Sequence, residues 1–239
     1  MIPKIIHYSW ISNDPYPEKI QRCVDTWKEK LPDYQFINWN TDSFDFSSSQ
    51  WLKEAYCDRN WAYCADYLRI YALYNYGGIW LDTDVEVLKS FNDLLSYPYF
   101  IGEEARNLDE ETNVYGIEAA TMGFEKKHIL MGTILNWYNS NSYNEHKDNI
   151  FDNTLPKIMF KTIKYLYKNI NNNIKNINTV VYNDNTINLL SMSYFSPRAW
   201  KYDGTLWFTE EDETTYSIHH FNGGWINEEL YLKLVNQTN

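Results

Sequence analysis

Apolar and polar positions alternate in type along the first half of the chain. Residues 4–10 predict a buried strand, and residues 17–30 a helix with proline in its first turn. Residues 34–39 read as a second strand. Residues 50–57 and 60–76 read as helices, the second closed by Gly77-Gly78. Ile79-Trp80-Leu81 is then a short apolar strand that runs straight into Asp82-Thr83-Asp84. Strands and helices taking turns over short connections predict an α/β fold, a mostly parallel sheet flanked by helices. Ligands of such sheets bind beyond the carboxyl ends of the strands, where Asp82 and Asp84 stand. The second half is less regular. Helices are expected at 126–139 and 154–168, short strands around Tyr194, Trp207 and 216–221, and a last helix at 225–235. Residues 169–188, rich in Asn, Ile and Asp, read as exposed and loop-rich with a strand-like piece at 179–182.

Composition narrows the class. A chain of 239 residues with 44% hydrophobic and 22% charged residues suits one globular domain and excludes a disordered or collagen-like one. The chain is expected to form a single domain over 1–239, in two halves at 1–100 and 101–239. No run approaches the roughly 18 apolar residues of a membrane span. The start, MIPKIIHYSWISND, has no apolar signal-peptide core, so a cytoplasmic chain is expected. Cys23, Cys57 and Cys64 match no zinc or redox spacing and are expected as free thiols. The formal charge of −11 speaks against nucleic acid as a partner. Aromatics reach 18%, with 21 Tyr and 10 Trp. Such rings stack on bases and sugar faces, but most of them fill cores.

The strongest local chemistry is in Tyr76-Gly77-Gly78-Ile79-Trp80-Leu81-Asp82-Thr83-Asp84. Two carboxylates two residues apart point the same way if extended, and can share a hard divalent cation. Like charges at 4 Å near a surface otherwise repel by about 4 kcal/mol. Haloacid-dehalogenase-type phosphatases use the same letters but want Thr or Val four positions after the first Asp, where this chain has Glu86. Asp66 and Arg69, three apart, share a helix face. They read either as an ordinary ion pair or as a fork for sugar hydroxyls and phosphate. In Ile218-His219-His220-Phe221-Asn222-Gly223-Gly224-Trp225, adjacent histidines on a strand face opposite ways, so one at most is a ligand. The Asn-Gly-Gly that follows offers backbone N–H groups to a phosphate.

Four segments together carry a resemblance: Ile2 to Trp10, Ala65 to Arg69, Tyr76 to Asp84, and His219 to Trp225. Their order and wording resemble glycosyltransferase family 32, the transferases with a sugar-binding Asp-x-Asp region, which include capsular-polysaccharide enzymes and yeast mannosyltransferases. The resemblance implies a GT-A fold, a nucleotide-sugar donor, a divalent metal (Mn²⁺ or Mg²⁺) and retention of anomeric configuration. By it, Trp10 stacks on the nucleobase, and Asp66 and Arg69 contact the donor sugar. Asp82 reaches ribose, sugar or metal, Asp84 is a direct metal ligand and His219 the third. Gly223, Gly224 and Trp225 close over the diphosphate. Asp82, Asp84 and Arg69 form the implied catalytic set. Gly224 stands where many members have Ser, and Thr154-Leu155-Pro156 where they have Thr-Gly-Pro. No motif marks the residue beneath the anomeric carbon, for which Asp152 and Glu118 are the candidates.

The function expected is transfer of a hexose from a nucleotide donor, UDP-linked, to a glycan or lipid-linked acceptor in bacterial surface or capsular polysaccharide synthesis. The alternatives are a silent sugar-binding protein and a toxin-like, protein-modifying transferase. Lys157, Lys161, Lys164 and Lys168 form a stripe along one helix. It reads as a solvated face or as a seat on an anionic membrane, whose mark would be salt-sensitive vesicle binding.

Overall fold

The computed structural model describes residues 1–12, 14–109, 114–200, 206–208 and 211–221. The elements run β1 (Ile5–Tyr8), α1 (Glu18–Lys30), β2 (Gln35–Asn38), α2 (Gln50–Cys57), α3 (Trp61–Tyr76), β3 (Gly78–Leu81) and β4 (Val85–Val87). A long hairpin follows, β5 (Tyr99–Asp109) and β6 (Val114–Phe124), then α4 (Ile129–Ser140), α5 (Tyr143–His146) and α6 (Leu155–Leu166). The remaining strands are β7 (Asn169–Ile174), β8 (Thr186–Leu190), β9 (Arg198–Trp200), β10 (Leu206–Phe208) and β11 (Ser217–His219).

Seven strands form one sheet in the order β2-β1-β3-β6-β5-β8-β7. Only β6 runs against its neighbours in it, so the expected α/β fold with a mostly parallel sheet is found. Each face of the sheet carries its own apolar core. On one side α1 lays Ile20, Val24 and Trp27, a helical stripe, against Ile6, Ile79 and Leu81. On the other, α2, α3, α4 and α6 pack Trp51, Leu68, Met131 and Ile158 around Trp80. Alternation along β3 thus sends Trp80 to one core and Ile79 and Leu81 to the other, and the strand is buried on both sides. Helix α3 is apolar nearly all round and is buried accordingly, Arg69 included.

The second half departs from its sequence reading in four places. Residues 179–182 are not a strand; the Asn-rich stretch forms β7 and β8 instead, with β7 at the edge showing alternate residues to solvent. Tyr194 ends a 3₁₀ turn, Met192–Tyr194. The helix expected from 126 starts at Ile129, because Lys127 sits at φ 65 and the His128 ring nitrogen caps α4 by accepting from the Leu130 N–H. The hairpin β5–β6 had no counterpart, since the charges between Glu103 and Glu111 break its alternation. The helix expected at 225–235 lies outside the described residues. Cys23, Cys57 and Cys64 are unbridged. Among the described residues, no helix is long and apolar enough to cross a membrane.

Candidate functional site

Strand β3 is anchored at its start by sterics. Gly77 and Gly78 have φ of +69° and +112°, a region that side chains avoid. A Cβ on Gly78 would stand 2.6 Å from the Ile5 carbonyl oxygen, and one on Gly77 2.7 Å from the Lys126 amide nitrogen. His7 on the neighbouring β1 donates from Nε2 to the Gly77 carbonyl at 2.8 Å, while its Nδ1 accepts from the Trp39 indole at 3.1 Å. Burial lowers its pKa to about 4, so this ring is neutral, with both nitrogens bonded. The N-terminal segment and the Tyr-Gly-Gly segment, 70 residues apart, therefore fit one another directly.

At the other end of β3 the chain turns. The Asp82 N–H donates to the Ala120 carbonyl at 2.9 Å and the Val85 N–H to the Asp82 carbonyl at 3.0 Å. A tight turn over 82–85, and not the extended pair expected, brings the two carboxylates together. Helix α1 clamps it: Trp27 Nε1 donates to the Val85 carbonyl at 2.7 Å, and Thr26 Oγ1 accepts from the Val87 N–H at 2.9 Å. Trp80, on the same side of the strand as Asp82, donates from Nε1 to Asp82 Oδ1 at 2.7 Å.

Arg69 reaches that oxygen too, from Nη2 at 2.7 Å, while its Nη1 donates to the Ala119 carbonyl at 2.6 Å. Asp66 Oδ1 is 3.6 Å away and the guanidinium lies 5.2 Å from the Trp80 ring centre. Arg69 is buried and Asp82 partly exposed, so removing the carboxylate would leave the guanidinium charge without its shortest ion pair. Burial raises Asp66 to about 6; Arg69 and the Leu155 amide pull down, and Asp82 pushes up. Asp82 is raised by burial in the same way, against the pull of Arg69.

His219 arrives from β11, which pairs antiparallel with β4 and sets His219 opposite Val85. Ligand atoms of Asp82, Asp84 and His219 lie within 4.8 Å of one another. His219 Nε2 is 3.5 Å from Asp84 Oδ1, and Nδ1 is 3.6 Å from Glu118 Oε1. Burial by itself would lower the pKa of this ring. The carboxylates of Glu118, Asp84 and Asp82 outweigh burial and hold it up to about 10. Phe221, at φ 48°, lays its ring 3.9 Å from that of His219. His220 turns away to Glu86 at 2.9 Å, so the adjacent histidines diverge as their alternation requires. Two carboxylates and one imidazole suit Mn²⁺ and can serve Mg²⁺. The carboxylates of Asp82, Asp84 and Glu118 crowding one imidazole concentrate negative charge that a divalent cation fits.

The fold therefore brings Asp66, Arg69, Asp82, Asp84 and His219 into one cluster. Arg69, implied as a sugar contact, has its two terminal nitrogens on Asp82 and the Ala119 carbonyl. Trp10 follows the carboxyl end of β1, its ring edge-on to Tyr16 and its Nε1 donating to the Asp14 carbonyl at 3.0 Å. Gly223, Gly224 and Trp225 lie outside the described residues, as does the side chain of Asp152. Lys161, Lys164 and Lys168 are exposed on and just after α6, opposite the buried Ile158, Met159 and Ile163. The supports Trp80, Ala119 and Phe221 were not anticipated. For Glu118 the signal was a lone acid in the apolar run Ile117 to Phe124.

Parts of the chain resemble known proteins. A family model described as the glycosyltransferase sugar-binding region containing DXD motif matches residues 17–101. Inositol phosphoceramide mannosyltransferase 3 of Schizosaccharomyces pombe is 34% identical over 133 residues, which cover 53% of this chain and 34% of that protein. The mannosyl phosphorylinositol ceramide synthase CSH1 of Saccharomyces cerevisiae is 29% identical over 156 residues, covering 58% and 38%. The chain thus matches about a third of the length of these relatives. Among solved structures, PaToxG Glycosyltransferase superposes with a TM-score of 0.52 at 20% identity over 69% of each chain. The apo form of mouse xyloside xylosyltransferase 1 gives 0.50 at 9% identity over 93% of this chain and 99% of that one. At such identities the likeness speaks for the fold, which is of the GT-A type.

Proposed function

We propose that the chain is a metal-dependent glycosyltransferase that moves a hexose from a nucleotide-sugar donor to a glycan or lipid-carried acceptor. The observation carrying this is the meeting of Asp82, Asp84 and His219 within 4.8 Å beyond the carboxyl end of β3. The match of residues 17–101 to a sugar-binding Asp-x-Asp region supports it independently. The named relatives are fungal and are called an inositol phosphoceramide mannosyltransferase and a mannosyl phosphorylinositol ceramide synthase. Their names favour mannose as the hexose and an inositol-bearing lipid as acceptor over a capsular glycan.

Asp82, Asp84 and His219 would hold the cation, which supplies positive charge against the diphosphate that leaves. The other parts of the site are pre-set. Arg69 and Trp80 lock one oxygen of Asp82, leaving its second oxygen to offer, and the 82–85 turn keeps Asp84 beside it. Such preorganisation spares the protein from reorganising as charge develops. Attack by the acceptor hydroxyl on the face that the diphosphate leaves would retain configuration.

Calorimetric titration of UDP and GDP, with and without Mn²⁺, on the wild type and Asp84→Ala tests the reading. Metal-dependent binding of one nucleotide, lost at least 100-fold in a variant that melts normally, is expected. Binding of neither nucleotide with any metal would overturn it. Binding without hydrolysis or transfer of the matching nucleotide sugar would leave a silent sugar-nucleotide binder.

A further inference from the structure

We propose that Glu118 is the positioning residue for His219: its carboxylate receives the imidazole Nδ1–H and so aims Nε2 at the cation. The inference rests on the metal-dependent reading above and adds a third carboxyl group to it, one that touches no cation itself.

Glu118 lies on β6, the strand next to β3, and is fully buried. Its neighbours in sequence are Ile117 and Ala119, both buried apolar residues. A carboxylate is not placed in such surroundings without partners, since its desolvation is expensive. Its Oε1 accepts from the Ala120 N–H at 2.6 Å, and its Oε2 has no hydrogen-bond partner among the described residues. His219 Nδ1, itself buried and without a hydrogen-bond partner among the described residues, lies 3.6 Å from Oε1. Charge-assisted N–H···O contacts close to about 2.7–2.9 Å, so a ring movement of less than ~1 Å completes the bond.

The need for it follows from imidazole chemistry. A ring that ligates a metal presents one nitrogen lone pair, and the hydrogen bond of the other nitrogen decides which one. At His219 the nitrogen facing Asp84 is Nε2 and the one facing Glu118 is Nδ1, so the two functions fall on opposite sides of the ring. Phe221, its ring tilted by 33° with the centroids 3.9 Å apart, restrains the imidazole against turning. The next two residues of β6 serve the rest of the site: the Ala119 carbonyl holds Arg69 and the Ala120 carbonyl holds the Asp82 N–H. A role beneath the anomeric carbon would need an open carboxylate. Glu118 has no exposed surface, and His219 stands against it.

Uptake of Mn²⁺ alone, read from the loss of the free-ion EPR signal, tests this on the wild type, Glu118→Gln, His219→Ala, their double variant and Asp84→Ala. Glu118→Gln should bind 10–100-fold more weakly, the range found for lost outer partners of metal-bound histidines. In the His219→Ala background the same change should add less than twofold. Wild-type affinity in Glu118→Gln, or an equal loss in both backgrounds, would overturn the inference while leaving the metal site standing. No Mn²⁺ uptake by the wild type, or uptake that Asp84→Ala leaves unchanged, would overturn both. A measurement independent of any variant is the long-range ¹H–¹⁵N spectrum of the wild type loaded with diamagnetic Zn²⁺. Protonated Nδ1 with coordinated Nε2 is expected at His219, and the reverse assignment would refute the proposal.

Discussion

The two ends of β3 each lean on a histidine brought from a neighbouring strand, and the protein treats the two rings in opposite ways. At the amino end, His7 is neutral, held down to about 4 by burial, with one nitrogen on the Gly77 carbonyl and the other on Trp39. At the carboxyl end, His219 is held up to about 10 against burial by three carboxylates, and one of its nitrogens has no hydrogen-bond partner. The first is a polar residue built into a core, every group satisfied, which rigidifies the strand entry. The second is an assembly with more like charge than its hydrogen bonds can absorb, an arrangement that costs stability and marks a place for a ligand. His7 is fully buried and His219 partly exposed; satisfaction of the partners separates the ring built into the core from the ring proposed as a ligand.

The comparison can be broken at either end. The largest effect is expected from Gly78→Ala, where a Cβ would meet the Ile5 carbonyl and the backbone would have to hold φ near +112°. A stability loss of about 3 kcal/mol or more, read from the urea midpoint, is the expectation. A smaller effect is expected from His7→Gln, about 1–3 kcal/mol at pH 7 from unsatisfied Gly77 and Trp39 groups. Its pH dependence carries the sign. Because the folded pKa lies near 4 and the unfolded one near 6.5, the contribution of His7 is complete above pH 6.5 and fades as pH falls towards 4. The stability gap between wild type and His7→Gln should therefore narrow over that window, by at most about 3 kcal/mol. A gap that widened would contradict a neutral His7. Neither change should alter Mn²⁺ affinity in the protein that remains folded; a selective loss of metal binding in His7→Gln would erase the distinction between the ends. The smallest effect belongs to Trp80→Phe. Arg69 still holds Asp82 there, so a loss of about 1 kcal/mol in stability and a severalfold drop in Mn²⁺ affinity are expected by thermal melt and EPR.

Legibility in the sequence followed the range of the forces. Helices α1 to α3 and strands β1 to β3 were readable because their apolar patterns are local, with Pro17 and Pro32 bracketing α1 and Gly77-Gly78 closing α3. The hairpin β5–β6 was not, since its acid-rich middle hides the alternation and only pairing with β3 and β8 defends it. Asp82 and Asp84 stood out as a pair, yet their geometry was misjudged, because a hydrogen-bonded turn and not the strand pleat brings them together. Arg69 was legible as a charged partner of Asp66, but its shorter ion pair is with Asp82, a contact that exists only once α3 lies across β3.

The sequence by itself determined the α/β alternation, the glycine pair that no side chain can replace, and the residue types of a cation site: these depend on local periodicity, backbone sterics and chemistry. Tertiary structure alone decided that His7 would lock the Gly77 turn, that β11 would carry His219 back to Val85 across the whole second half, and that Glu118 would stand behind that ring. Those contacts join segments between about 70 and 134 residues apart, and no local pattern encodes them, because they arise from sheet pairing and the burial of charge that follows it.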